Sequence, residues 1–293
     1  MTELKLPITV LVQTKNEAVG IGACLLGLED FDEVIVVDSN STDETKKIAV
    51  AHGAAIASFT WNGSYPKKKQ WQLDNLPTKH KWIFFMDADE TPSVQLITSI
   101  RTLFKAGGQK DLASCDLQLD YVFAGRVLRH GHRVVKRALV HRDRVRFPII
   151  DDLHAPGMGE LEGHYQPESD GPIGALRGRL LHDDRDPIRS WFDRHNRYSD
   201  WEAHLNLNKR VKREIASKRT HKGRIFDSAP FKPLMFFGYS YIARLGFLDG
   251  RAGLDYALAL SGYYWQIGVK TRELLRSELA RPDLASKVTK KRI

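Results

Sequence analysis

Two aspartates one residue apart, Asp87 and Asp89, close the apolar run Trp82-Ile-Phe-Phe-Met-Asp-Ala-Asp-Glu90. The run reads as a strand, and side chains two apart on a strand point the same way, so both carboxylates can face one cation. Carboxylates at a strand's exit suit a hard ion, Mg²⁺ or Mn²⁺, which favours oxygen ligands and keeps positions open for a diphosphate. That is the chemistry of a nucleotide-sugar site.

The elements that must position such a pair are readable around it. Ile8-Thr-Val-Leu-Val12, Val34-Ile-Val-Val37, Ala54-Ala-Ile-Ala-Ser-Phe59 and Trp82-Ile-Phe-Phe-Met86 are strand-like runs alternating with helical patterns, which is the signature of βαβ units and a parallel sheet. Between the first two, Ile21, Cys24, Leu25 and Leu28 form one stripe of a helix. Ser41 followed by Glu44 predicts a capping box that opens the next helix, with Gly53 closing it. A further helix is predicted after Pro92, running to about Phe104. Ligands of open sheets bind beyond the carboxyl ends of the strands. Three polar clusters fall there: Thr14, Asn16 and Glu17; Asp38, Ser39, Asn40, Ser41 and Asp43; and Asp87 with Asp89. No G-x-x-x-x-G-K-[ST] loop, no G-x-G-x-x-G after a strand and no G-x-S-x-G elbow occurs, so the phosphate work falls to the metal.

At 293 residues, 42% hydrophobic and 28% charged, the chain has the composition of an ordinary globular protein and not of a disordered one. Cys24 and Cys115 are far apart and lack histidines at ligand spacing, which argues for a reducing compartment and two buried small residues. The opening Met1-Thr-Glu-Leu-Lys-Leu-Pro-Ile-Thr-Val10 does not read as a signal peptide. The uncharged run Tyr256–Val269 covers 14 residues, short of the roughly 20 a span needs. The net charge is +9, and residues 177–224 hold 14 Lys/Arg against 7 Asp/Glu. A basic nucleic-acid-binding protein is the alternative this charge suggests, with Lys209-Arg-Val-Lys-Arg213 as its patch. Strand-end acids would repel phosphates in that reading unless a metal were bound.

Val12-Gln-Thr-Lys-Asn-Glu17, Val36-Val-Asp-Ser-Asn-Ser-Thr-Asp-Glu-Thr45, the Lys67-Lys68-Lys69 tract and Met86-Asp-Ala-Asp-Glu90 resemble, in order and spacing, the motifs of family 2 glycosyltransferases. The resemblance covers roughly residues 6 to 105 and implies an α/β GT-A fold, Rossmann-like, with a mostly parallel sheet flanked by helices. It also implies that Thr14, Asn16 and Glu17 line the nucleotide pocket and that Asp38 accepts a hydrogen bond from the base. Asp87 would sit near the ribose and metal, and Asp89 would coordinate the metal bridging the diphosphate. Lys68, or its neighbour Lys67 or Lys69, would lie near the nucleotide.

Beyond residue 110 the pattern lengthens, as in Asp116-Leu-Gln-Leu-Asp-Tyr-Val-Phe123, and becomes rich in Gly, His and Arg over residues 126–133. A single displacement needs a general base for the acceptor hydroxyl, and the family commonly supplies an acid in this half. Asp151 or Asp152 is the expected base, with Glu160 and Glu162 as second choices. His182, which follows an apolar pair, is expected to complete the metal site or touch the diphosphate. Residues 191–203, 231–237 and 241–260 resemble the C-terminal part of bacterial lipopolysaccharide-core and exopolysaccharide glucosyltransferases. That narrower resemblance implies a UDP-sugar donor, transfer of one glucose or other hexose to a glycan or lipid-linked acceptor, and a cytoplasmic location, peripheral on the inner membrane. The expected division is a catalytic domain over 1–185, with a nucleotide-sugar half (1–110) and an acceptor half (111–185), then a basic, aromatic helical region over 186–293.

Overall fold

The structure, a computed structural model, describes residues 4–151, 153, 155, 159, 160, 166–218, 226 and 230–290. The chain divides into two compact units, one of residues 1–129, 133–149 and 159–185, the other of 130–132, 150–158 and 186–293.

The first unit is built in the order β1 (Leu6–Thr14), α1 (Ile21–Leu26), β2 (Phe31–Asp38), α2 (Thr45–Ala51), β3 (Ala55–Ser58), α3 (Lys68–Asn75), β4 (Trp82–Asp87), β5 (Glu90–Pro92) and α4 (Val94–Lys105). It continues with β6 (Ser114–Phe123), β7 (Arg126–Val127), β8 (Val135–His141), β9 (Val145–Arg146), β10 (Glu168–Ser169) and β11 (Ile173–His182). One sheet runs β3-β2-β1-β4-β8-β6-β11-β5, with β7 beside β6. Its first four strands are parallel, and β8 lies antiparallel to both β4 and β6. The result is a mixed sheet flanked by helices, the GT-A architecture expected.

The β-branched runs become strands because both faces of the sheet are covered. Ile8, Val10 and Val12 of β1 pack on one face with Ile21, Cys24 and Leu25 of α1 and Leu96 and Ile100 of α4. Leu11 points the other way, into a cluster with Ile35, Val37, Ile83, Phe85 and Leu73 of α3. Each such side chain contributes about 1.5–3 kcal/mol by leaving water. Both cysteines are buried and free; burial pushes the Cys115 thiol up to about 12 and raises that of Cys24 as well.

Three local details differ from the sequence reading or sharpen it. Helix α2 begins at Thr45 with Glu44 at the N-cap and no side-chain cap; the capping box does not form, because the Ser41 hydroxyl accepts instead from the Asn16 N–H at 2.8 Å. Strand β4 stops at Asp87, so Asp89 lies in the turn before β5 and strand alternation is not what brings the two acids together. Strand β11 changes register between Ala175 and Arg179, where Gly178 has φ +93° and a Cβ would meet the Leu96 backbone nitrogen at 2.3 Å.

The second unit is helical: α5 (Ile188–Leu207), α6 (Lys209–Lys218), α7 (Lys232–Phe237), a π-helical turn over Gly238–Ala243 and α8 (Gly250–Lys290). Helices α5 and α8 are joined by the Lys270–Asp200 ion pair at 2.6 Å and by Asn206 donating to Thr271 at 3.1 Å. Among the described residues no helix is long and apolar enough to cross a membrane.

Candidate active site

The carboxyl ends of β1 and β2 carry loops that are sewn together. Asn16 sits in the left-handed region at φ 59°, a conformation its short polar side chain tolerates. Its N–H donates to the Ser41 hydroxyl at 2.8 Å, and its side-chain oxygen accepts from the Thr42 N–H at 2.8 Å. The Glu17 N–H donates to Thr45 at 2.7 Å, and the Ala18 N–H to Asp43 at 3.1 Å. Burial would raise the Asp43 carboxyl, but the hydrogen bonds from Thr45 and Ala18 outweigh it and hold the group below its ordinary value. Asp38 is turned inward, buried, accepting from the Ser41 N–H at 2.9 Å, with Thr14 at 3.4 Å and the Lys46 ammonium at 3.7 Å.

Lys68, the most deeply buried residue of its lysine tract, reaches this edge. Its Nζ donates to the Thr14 carbonyl at 3.2 Å and lies 3.6 Å from Glu160. Burial pulls its ammonium below the ordinary value, against the charges of Glu160, Asp87 and Asp38. Glu160 also accepts from the Ser39 hydroxyl. Glu160, a second choice for the base, is thereby engaged with Ser39 and Lys68.

At the end of β4 the arrangement is different. Strand β5 pairs antiparallel with β11, setting His182 opposite Glu90, and the Asp183 N–H donates to the Asp89 carbonyl at 2.9 Å. Asp87, Glu90 and His182 each place a ligand atom within 4.8 Å of the others. His182 Nδ1 is 3.4 Å from Asp89 Oδ1, and its ring packs edge-on against Tyr121 at 4.9 Å. Glu90, fully buried, accepts from the Asp87 N–H at 2.9 Å. Lys136, from β8, donates to both Glu90 oxygens at 2.7 and 2.6 Å and to Asp87 at 3.1 Å. A lone buried charge is expensive, several kcal/mol in effect, and this pairing offsets it.

The carboxylates respond unequally. Burial pushes the Asp89 carboxyl up to about 6, with Asp87, Glu90 and Asp184 adding to the rise and His182 opposing it. Glu90 is raised too, by burial first. At Asp87 burial is outweighed by Lys136, Lys69 and His182, which draw it well below the carboxylate range. Lys136 resists burial's downward pull because Asp87 and Glu90 hold its charge.

Asp89 Oδ1 and His182 Nδ1 are buried without a hydrogen-bond partner. Buried polar atoms are rarely left so. An oxygen and a nitrogen 3.4 Å apart, beside two more carboxylates, fit the ligand set of a divalent cation.

Of the expected site residues, the structure groups Asp87, Asp89 and His182 at one strand end and Thr14, Asn16, Glu17, Asp38 and Lys68 along the edge beside it. Asp151 belongs to the second unit, where its carboxylate accepts from the Leu153 N–H at 2.9 Å and lies 3.9 Å from Arg210. Asp152 and Glu162 lie outside the described residues. Sequence reasoning missed Glu90 and Lys136; Glu90 directly follows the acid pair and was the available signal.

Residues 9–151 match the family model described as Glycosyl transferase family 2, and the chain carries a glycosyltransferase domain of that family. An uncharacterized glycosyltransferase of Rickettsia bellii is 34% identical over 113 residues, 38% of this chain and 37% of that protein. The chain thus spans well under half the length of that relative. The lipopolysaccharide core biosynthesis glycosyltransferase LpsC of Rhizobium meliloti is 24% identical over 274 residues, covering 89% of this chain and 93% of LpsC. Among solved structures, glucosyl-3-phosphoglycerate synthase from Mycobacterium tuberculosis, in complex with Mn²⁺, UDP and glucosyl-3-phosphoglycerate, aligns with TM-score 0.29 and 22% identity over 40% of this chain and 44% of that one.

Proposed function

We propose that the protein is a metal-dependent inverting glycosyltransferase that moves one hexose from a UDP-sugar to a glycan or lipid-linked acceptor, such as a lipopolysaccharide core or exopolysaccharide precursor. The observation that carries this reading is the buried pair Asp89 Oδ1 and His182 Nδ1, 3.4 Å apart and neither hydrogen-bonded, beside Asp87 at the carboxyl edge of the sheet. A Mg²⁺ or Mn²⁺ held by Asp87, Asp89 and His182, with Glu90 beside them, would neutralise the charge that grows on the departing diphosphate. Thr14, Asn16, Glu17, Asp38 and Lys68 bind and orient the nucleotide. Asp151 or Asp152 takes the proton from the acceptor hydroxyl as it attacks.

The alignment along nearly all of LpsC supports the choice of acceptor class. A cytoplasmic enzyme resting on the inner-membrane face is supported by the second unit, where Phe231, Leu234, Ile242 and Leu248 are exposed near the cations Lys232, Arg244 and Arg251. The deciding experiment is a thermal-shift titration with UDP and UDP-hexoses, with and without Mn²⁺ or Mg²⁺. Stabilisation is expected only when nucleotide and metal are both present, and it is expected to vanish in Asp89→Ala. Equal shifts with and without metal would sink the reading.

A further inference from the structure

Lys136 stands where a cation would stand. Its ammonium contacts both oxygens of Glu90 and one of Asp87, two of the three residues whose ligand atoms gather within 4.8 Å. The side chain is 14% exposed and rises from β8 at a position paired with Leu117 of β6, in the body of the sheet. An ammonium has three donors and no acceptor, so it cannot become a metal ligand. Toward an incoming ion it can only compete or withdraw.

We propose that Lys136 is the resident counter-ion of this acid cluster and a positioning residue for the metal. It keeps Asp87 and Glu90 in place without an ion and, by occupying them, holds the site's affinity for a free divalent ion low. The inference rests on the metal-dependent reading above. The site is divided: Lys136 neutralises the Asp87–Glu90 side, while Asp89 Oδ1 and His182 Nδ1 have no hydrogen-bond partner. A free ion therefore meets two ready ligands and two committed ones. A nucleotide diphosphate brings further oxygens, and these tip the exchange. Metal and nucleotide then bind tightly together and weakly apart.

The test is a calorimetric titration of Mn²⁺ into the ion-free full chain, with and without UDP, for the parent protein, Lys136→Met and Lys136→Arg. Lys136→Met is expected to bind Mn²⁺ without UDP about tenfold tighter than the parent, because the buried Glu90 carboxylate and the half-exposed Asp87 beside it have lost the ammonium they share. Lys136→Arg, which keeps the charge, should resemble the parent. A lysine with a merely structural role would weaken ion binding when removed, so the sign of the change decides. If Lys136→Met binds no tighter while UDP-dependent Mn²⁺ binding persists, the inference is overturned and the metal site stands. If no protein binds Mn²⁺ even with UDP, the metal reading falls and takes the inference with it. Should Lys136→Met not fold in ion-free buffer, recovery of the fold with millimolar Mn²⁺, and not with NaCl of equal ionic strength, supports the inference; no recovery overturns it.

Discussion

The two halves of the strand-end edge are made on opposite plans. After β1 and β2, loop polar groups answer one another: Asn16 serves Ser41 and Thr42, Asp43 serves Ala18, and Asp38 serves Ser41. After β4, charge is concentrated, with Asp87, Asp89 and Glu90 facing Lys136 and His182 and the field of Lys69 acting on Asp87, and two buried atoms are left without a hydrogen bond. The first plan gives a shape that needs nothing added. The second gives one that gains by adding a cation. On the proposed function, the first would be a wall of the nucleotide pocket and the second the metal site beside it.

The largest expected effect comes from breaking the charged half. Glu90→Ala leaves the Lys136 ammonium with Asp87 as its one carboxylate partner among the described residues and takes away the acceptor of the Asp87 N–H. Urea unfolding should show a loss of about 3–5 kcal/mol, the scale for disrupting a buried ion pair. A loss under about 1 kcal/mol would show that the cluster is less buried than the geometry indicates. Next in size is the general base. Asp151→Asn or Asp152→Asn should slow transfer about 10²-fold while leaving the melting response to UDP and Mn²⁺ intact; if neither does, the base lies elsewhere.

Asp89 offers a pH test of the same half. Its carboxyl is raised from 3.8 to about 6 in the folded protein, so the fold holds that proton more firmly than the unfolded chain does. The stabilisation is complete below about pH 4 and is lost as the pH rises through 6, amounting to about 3 kcal/mol in all. Ion-free protein should show this slope in denaturant titrations at stepped pH, and Asp89→Asn should flatten it. The smallest effect belongs to the self-satisfied half: Ser41→Ala should cost about 1 kcal/mol, the worth of one hydrogen bond. It should leave metal binding unchanged. A lost Mn²⁺ response in Ser41→Ala would mean that the two halves are mechanically joined.

Much of the scaffold was legible because it is local. The β-branched runs of β1, β2 and β4 and the Ile21-Cys24-Leu25-Leu28 stripe announce themselves by period alone. The Asp-x-Asp and the two upstream polar clusters could be placed because ligands of such sheets collect at one edge. What stayed hidden depends on pairing between distant segments. Glu90 and His182 meet only because β5 joins β11, and Lys136 reaches Asp87 and Glu90 from β8, more than forty residues further along the chain. The Ser41 cap failed for the same reason, since a donor from another loop claimed its hydroxyl. The base assignment had no periodic support at all, resting on which acids fall in the second half.

One glycine shows how far the site's requirements extend. Gly178 lies four residues before His182 and touches no ligand, yet its φ and the nearness of the Leu96 backbone leave no room for any side chain. A larger residue would lift β11 from α4 and carry the imidazole with it. A selection for activity would therefore hold this position to a single letter, and a survey of tolerated mutations would mark as essential a residue with no chemistry of its own.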